Sequence, residues 1–123
     1  MNLVFGGAYQ GKTEYAKRTW NVETVCDVSD GSVPDFTKSM ITGLEGFVLE
    51  CVKKGEDPKE FFMKHRAQWE DKILIVTDIS QGIVPVDGNQ RAAREANGRL
   101  MLYLAGEAEQ VHRVFCGIGK RLK

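Results

Sequence analysis

Leu3-Val4-Phe5-Gly6-Gly7-Ala8-Tyr9-Gln10-Gly11-Lys12-Thr13 is the stretch that decides the fold of this chain. An apolar triplet runs into a segment that fits G-x-x-x-x-G-K-[ST]. In that pattern a strand gives way to a glycine-rich loop, and the loop opens a helix. Gly6 and Gly11 allow backbone angles and a close anion approach that a β-carbon would hinder. The expectation is a nucleotide-phosphate site made of Gly6, Gly7, Ala8, Tyr9, Gln10, Gly11, Lys12 and Thr13. Loop amides would wrap the phosphates, Lys12 would reach the β and γ groups, and the Thr13 hydroxyl would take a position on Mg²⁺. The bland alternative is a glycine-rich turn that fits the pattern by accident. The apolar run before it and the helix-compatible Thr13 to Trp20 after it meet the context the motif needs.

Outward from this stretch, strands alternate with helices. Val22 to Cys26 reads as a second strand and Asp27 to Pro34 as loop. Asp35 or Thr37 is expected to cap a helix carrying Met40, Ile41, Leu44, Phe47, Val48 and Cys51, closed by Lys53-Lys54-Gly55. Asp57-Pro58 reads as cap plus first-turn proline of another helix, with Phe61, Phe62, His65 and Trp69 inward. Ile73-Leu74-Ile75-Val76 is apolar on both faces, as a central parallel strand requires. A loop from Thr77 to Val86 follows, then a long helix from about Gly88 to Glu109. Val111, Val114, Phe115 and Cys116 form a last strand, with Gly117 to Lys123 as a tail. The fold class is therefore α/β, a three-layer P-loop NTPase-like fold with a mostly parallel central sheet, and residues 1–123 form a single domain.

With 123 residues, 42% apolar and 28% charged, the chain is long enough for one core. Seventeen cationic residues balance seventeen acidic ones, so no broad basic field argues for nucleic acid or an acidic membrane as partner. Any phosphate binding must be local. Cys26, Cys51 and Cys116 form no C-x-x-C pair and read as reduced, mostly buried thiols of a cytoplasmic protein. His112 and Cys116, at even spacing on the last strand, read as neighbours on one buried face. No signal peptide is visible and no apolar run approaches the ~20 residues of a bilayer span.

A second group of candidates follows the central strand: Thr77-Asp78-Ile79-Ser80-Gln81-Gly82-Ile83-Val84-Pro85. Four apolar residues and then an acid, with Thr77 interposed, resemble the Mg²⁺-supporting strand of phosphate-loop enzymes. Asp78 would hold Mg²⁺ through water or take a proton from an attacking hydroxyl; the plain alternative is a capping carboxylate. Asp27 is a further acid at the same sheet edge, for metal or base. Arg91, Arg94 and Arg99 punctuate the long helix, where a solvated ion-pair face is the bland account and a reach toward phosphate the functional one.

These segments together resemble the bifunctional adenosylcobinamide kinase/adenosylcobinamide-phosphate guanylyltransferases of cobalamin biosynthesis. The start is similar to that family's Gly-Gly-x-x-x-Gly-Lys-Ser/Thr. Asp78 to Pro85 parallels its Asn-Glu-Val-Gly-x-Gly-Ile-Val-Pro. Arg91, Arg94-Glu95 and Gly98-Arg99, then Cys116 to Lys123, are similar to its arginine-rich helix and closing Gly-x-Pro-x-x-Leu-Lys. The resemblance implies an NTP-dependent kinase, with GTP or ATP and Mg²⁺, that phosphorylates the hydroxyl of a cobinamide-like acceptor. It implies recognition through Asp27, Gly82, Pro85 and Arg94, and assembly into a homo-oligomer, a trimer. The alternative is a non-catalytic or regulatory nucleotide-binding module derived from that family. The chain lacks the family's Arg-His-x-Ala-Thr segment, whose histidine takes up GMP, and carries Met101-Leu102 in place of Asn-Gln. No base-specific Asn/Thr-Lys-x-Asp motif distinguishes guanine from adenine.

Overall fold

A computed structural model describes residues 1–79 and 88–123. The elements run β1 Asn2–Gly6, α1 Lys12–Thr19, β2 Val25–Asp27, β3 Met40–Thr42, α2 Leu44–Lys53, α3 Pro58–Lys64, α4 Arg66–Trp69, β4 Ile73–Thr77, α5 Gly88–Glu107, β5 Gln110–Phe115 and β6 Ile118–Arg121. The strands form one six-stranded sheet in the order β2-β3-β4-β1-β5-β6, parallel throughout except for the antiparallel β5–β6 pair. The expected α/β class and mostly parallel sheet are thus present. β1 lies at the centre, Leu3 opposite Leu74 on one side and Val111 on the other.

Strand alternation divides the core into two layers. Leu3, Leu74 and Val76 pack with Phe47, Val48, Leu100 and Leu104 of α2 and α5. Val4, Ile73 and Ile75 face the opposite way, toward Ala16 of α1. Helices therefore cover both faces, and all four residues Ile73 to Val76 are buried, as their unbroken apolar run requires.

The helix expected from Asp35 onward splits in two. Met40–Thr42 is strand β3, parallel to both β2 and β4. The Asp35 carboxylate accepts from the Thr37 N–H at 3.0 Å and from its hydroxyl at 2.7 Å, so it closes a local turn and caps no helix. Ser39 and Thr24 then exchange backbone and hydroxyl bonds that lock β3 onto the segment before β2. β-branched Ile41 and Thr42 suit the strand, and Gly43, at φ 77°, breaks it before α2. Leu44, Phe47, Val48 and Cys51 supply the buried stripe of α2. Its end is the expected one: the Gly55 N–H donates to the Val52 carbonyl and the Glu56 N–H to Cys51, with Gly55 at φ 72°, the paired bonds of a glycine-terminated helix.

Asp57 caps α3 as expected, accepting from the Lys59 N–H at 2.9 Å, with Pro58 in the first turn. The helix breaks at His65, and α4 swings Trp69 inward to donate to the Phe62 carbonyl at 2.7 Å. Phe62 and Trp69 are fully buried; burial of a phenylalanine stabilises by about 1.5–3 kcal/mol. β2 begins later than expected and includes Asp27. The last strand stops at Phe115, so Cys116, at φ 51°, sits in a turn and does not share a face with His112. The expected tail is β6, which satisfies the β5 edge. Cys51 is buried, with its thiol raised to about 11 mainly by desolvation, Cys26 is half-buried and Cys116 exposed. No described helix is long and apolar enough to cross a membrane.

α2 packs tightly against the segment after β2. A β-carbon on Gly46 would lie 2.3 Å from the Ser29 carbonyl oxygen, whereas one on Gly98, within α5, would meet nothing within 4 Å. Gly46→Ala is expected to cost about 1–3 kcal/mol by overpacking, and Gly98→Ala to gain about 0.5–1 kcal/mol by helix propensity. Urea-unfolding midpoints of the two variants would move in opposite directions.

Candidate functional site

Residues 7–11 join the carboxyl end of central β1 to α1, where open α/β sheets collect their chemistry. Two features shape this loop. Gly11 is left-handed at φ 83° and precedes α1 directly. Gly6 has the Val114 carbonyl oxygen only 2.4 Å from where a β-carbon would stand, so a larger residue there would push β1 and β5 apart. Gln10 then ties the loop to the β5–β6 turn: its Oε1 accepts from the Cys116 N–H at 2.7 Å and its carbonyl from the Gly117 N–H at 2.8 Å. Arg18 of α1 donates to the Gly117 carbonyl at 3.1 Å. Tyr9, also left-handed at φ 59°, is fully exposed at the loop tip.

Lys12 is buried despite its charge. Its Nζ turns back across the loop and donates to the Gly7 carbonyl at 2.7 Å. Desolvation lowers its pKa below the usual lysine value, and the Glu45 carboxylate opposes that shift. Lys12, Thr13, Asp27, Thr42, Glu45 and Thr77 line one pocket of about 280 Å³. Glu45, in the first turn of α2, accepts from the Thr77 N–H at 3.1 Å. Asp27, at the end of β2, accepts from the Ser29 N–H at 2.9 Å.

The sequence-expected residues thus fall into three groups. Gly6, Gly7, Ala8, Tyr9, Gln10, Gly11, Lys12 and Thr13 form the loop and helix start, and Asp27 joins Lys12 and Thr13 in their pocket. Asp78 is anchored beside them by its N–H, which donates to the Gly6 carbonyl at 2.8 Å. It lines a different cavity, however, with Arg94, Asn97 and Met101 along α5. Strand alternation is the reason: Thr77 follows Ile73 and Ile75 toward the loop pocket, and Asp78 follows Leu74 and Val76 to the α5 side. Gly82 and Pro85 lie outside the described residues. Arg91 and Arg99 are exposed.

No known protein family matches this chain, and no curated protein does. Glu45 is the residue that sequence reasoning missed. Its signal was faint, an acid three residues after a short strand, and assigning Met40–Thr42 to a helix hid it. Among the described residues no cluster of three or more His, Cys, Asp or Glu side chains is arranged to hold a metal by itself.

α1 is positioned from below by His112. The Tyr15 hydroxyl meets His112 Nδ1 at 2.7 Å, His112 Nε2 meets Gln110 Oε1 at 2.9 Å, and Trp20 stands edge-on 4.9 Å away. With Nε2–H donating to Gln110 and Nδ1 accepting from Tyr15, the neutral ring has both nitrogens satisfied. Gly119 makes room for the Tyr15 ring, which a β-carbon would strike at 2.0 Å. Burial first, and Arg121 second, lower the His112 pKa below 6.5. An unfolded chain takes up that proton first, so the stability held by neutral His112 is present above about pH 6.5 and lost as pH falls below it. Urea midpoints at pH 7.5 and 5.5 are expected to differ more for the unmodified chain than for His112→Gln.

Proposed function

We propose that the chain is a P-loop nucleotide-binding domain that holds a purine nucleoside triphosphate, GTP or ATP, and transfers its terminal phosphoryl group to a hydroxyl acceptor. The single observation that carries this reading is the Lys12 ammonium, desolvated and folded over a glycine loop onto the Gly7 carbonyl. A phosphate oxygen entering the loop replaces that carbonyl as acceptor. The charge is then matched within the site, and the helix-start N–H groups that lack intrahelical partners face an anion.

The pocket's electrostatics bear on the cofactor. Lys12 shares its pocket with three carboxylates, Glu14, Asp27 and Glu45, so a bare polyphosphate would meet net negative charge that a bound divalent cation would offset. The donors suit Mg²⁺: the Thr13 hydroxyl and the Asp27 carboxylate are hard oxygen ligands. Asp27 takes the place in this reading that the sequence suggested for Asp78. Bound Mg²⁺ would neutralise charge that develops on the β and γ oxygens. The chain's own part is positioning: residues 6–11 fix the polyphosphate, and Lys12 counters charge on the transferring group.

The acceptor follows only from resemblance, which points to a cobinamide-like hydroxyl compound and to cobalamin biosynthesis. Without the Arg-His-x-Ala-Thr segment the chain offers no counterpart of the guanylylated histidine, so phosphoryl transfer is the activity proposed. A second reading, a nucleotide-binding module without turnover, is favoured by Met101 and exposed Leu102, which give the groove beside α5 an apolar wall. Self-association is also part of the proposal, because Phe115, Ile118 and Leu122 are exposed on the last hairpin and beyond it.

Titration calorimetry with MgATP and MgGTP, beside a turnover assay with cobinamide, separates the two readings. Lys12→Ala is expected to weaken triphosphate binding at least about tenfold, equivalent to 1.4 kcal/mol, and to abolish transfer. Undiminished turnover in that variant would remove the proposal, and tight binding without product in the unmodified chain would select the non-catalytic module.

A further inference from the structure

Glu45 borders two cavities at once. One is the loop pocket that contains Lys12 and Thr13. The other, about 310 Å³, runs between α2 and α5 and is walled by Gly46, Leu49, Ile79, Gln90, Ala93 and Arg94. Ser29 and Glu45 belong to both walls, so the two cavities adjoin at the Glu45 carboxylate. Resting on the nucleotide reading above, we infer that the α2–α5 groove seats the phosphoryl acceptor, a small alcohol with an apolar body, and that Glu45 is its general base.

Three observations converge on this assignment. The Thr77 N–H holds Glu45 Oε1 at 3.1 Å, which fixes the carboxylate at the sheet edge, and among the described residues no hydrogen bond is made to Oε2. A general base must reach the hydroxyl proton directly, and Glu45 is the acid shared by the phosphate side and the apolar side. Most of the groove's accessible surface is apolar, with Leu49, Ile79 and Ala93 beside the polar Gln90 and Arg94, so it favours the body of the acceptor, and the carboxylate orients its hydroxyl. Its size is at the low end of the ~300–1,000 Å³ found for small-molecule sites. A corrin macrocycle exceeds that space; of such a molecule only an arm would enter.

The step balances without a further reactant. The acceptor O–H proton passes to Glu45 Oε2, and the freed oxygen pair forms a bond to the γ-phosphorus. The bond from that phosphorus to the bridging oxygen breaks, and its electron pair leaves with the nucleoside diphosphate. Lys12 offsets the charge on the transferring group.

The test uses the full chain with cyclohexylmethanol as acceptor probe. Saturation-transfer NMR in the presence of Mg²⁺ and a non-hydrolysable ATP analogue reads alcohol contact, and ³¹P NMR with MgATP reads the phosphate ester. Alcohol contact is expected in the unmodified chain. It should fall at least tenfold in Leu49→Trp, and in Gln90→Trp, whose exposed position at the groove guards against misfolding, while both keep MgATP affinity within about twofold. Glu45→Gln is expected to lower ester formation by about 10²–10⁴-fold at saturating MgATP. A chain that binds no MgATP defeats the nucleotide reading. A chain that binds MgATP but shows no alcohol contact, keeps contact in both filled variants, or keeps its rate in Glu45→Gln defeats the groove assignment alone.

Discussion

Gln10 is bonded twice to the turn between β5 and β6, through its side chain to Cys116 and through its carbonyl to Gly117, and the shape of the glycine-rich loop depends on this tie. A loop with two left-handed residues, Tyr9 and Gly11, does not hold one conformation by local preference. Left-handed backbone at a non-glycine residue costs about 1–3 kcal/mol, which surrounding contacts must offset. Here the offset comes from the far end of the chain. Gly6 lets β5 approach through the Val114 carbonyl, and Arg18 reaches back from α1 to the same turn. The C-terminal hairpin is therefore a brace for the loop, and it positions Lys12 as surely as the strand that precedes it.

A second constraint is how the carboxylates are distributed around that lysine. Asp27 and Glu45 come from the ends of β2 and the start of α2, and both line the loop pocket. Asp78 comes from the neighbouring strand but belongs to the α5 side. One residue of strand offset decides this, because successive side chains leave a sheet on opposite faces. Glu45 in turn depends on glycine: a β-carbon on Gly43 would lie 2.6 Å from the Asp27 carboxylate, and one on Gly46 would lie 2.3 Å from the Ser29 carbonyl. The two glycines let α2 start close against the segment after β2, and that closeness puts Glu45 where the two cavities adjoin.

Much of the architecture was legible in advance. The run Ile73 to Val76 read as a strand buried on both faces, Asp57-Pro58 as a helix start and Gly55 as the end of α2, because each signal depends mainly on the residue's own backbone and its immediate neighbours. Met40–Thr42 was not legible as a strand. Its apolar residues fit a helical stripe continued from Leu44 equally well, and only pairing with β2 and β4, together with the Ser39–Thr24 bonds, selects the extended form. β6 was illegible for a similar reason: Gly117, Gly119 and three cations suggest a solvated tail until β5 offers an open edge.

The sequence by itself determined that a glycine loop ending in Lys12-Thr13 follows a short apolar strand, because those requirements are local: backbone freedom, a helix start and side-chain type. Only the tertiary structure decided which acids share the pocket with Lys12. That choice turns on strand order, on the face each residue takes and on where α2 begins, and these are set by pairings between segments far apart in the chain. It brought in Glu45 from beyond β3 and placed Asp78 beside α5.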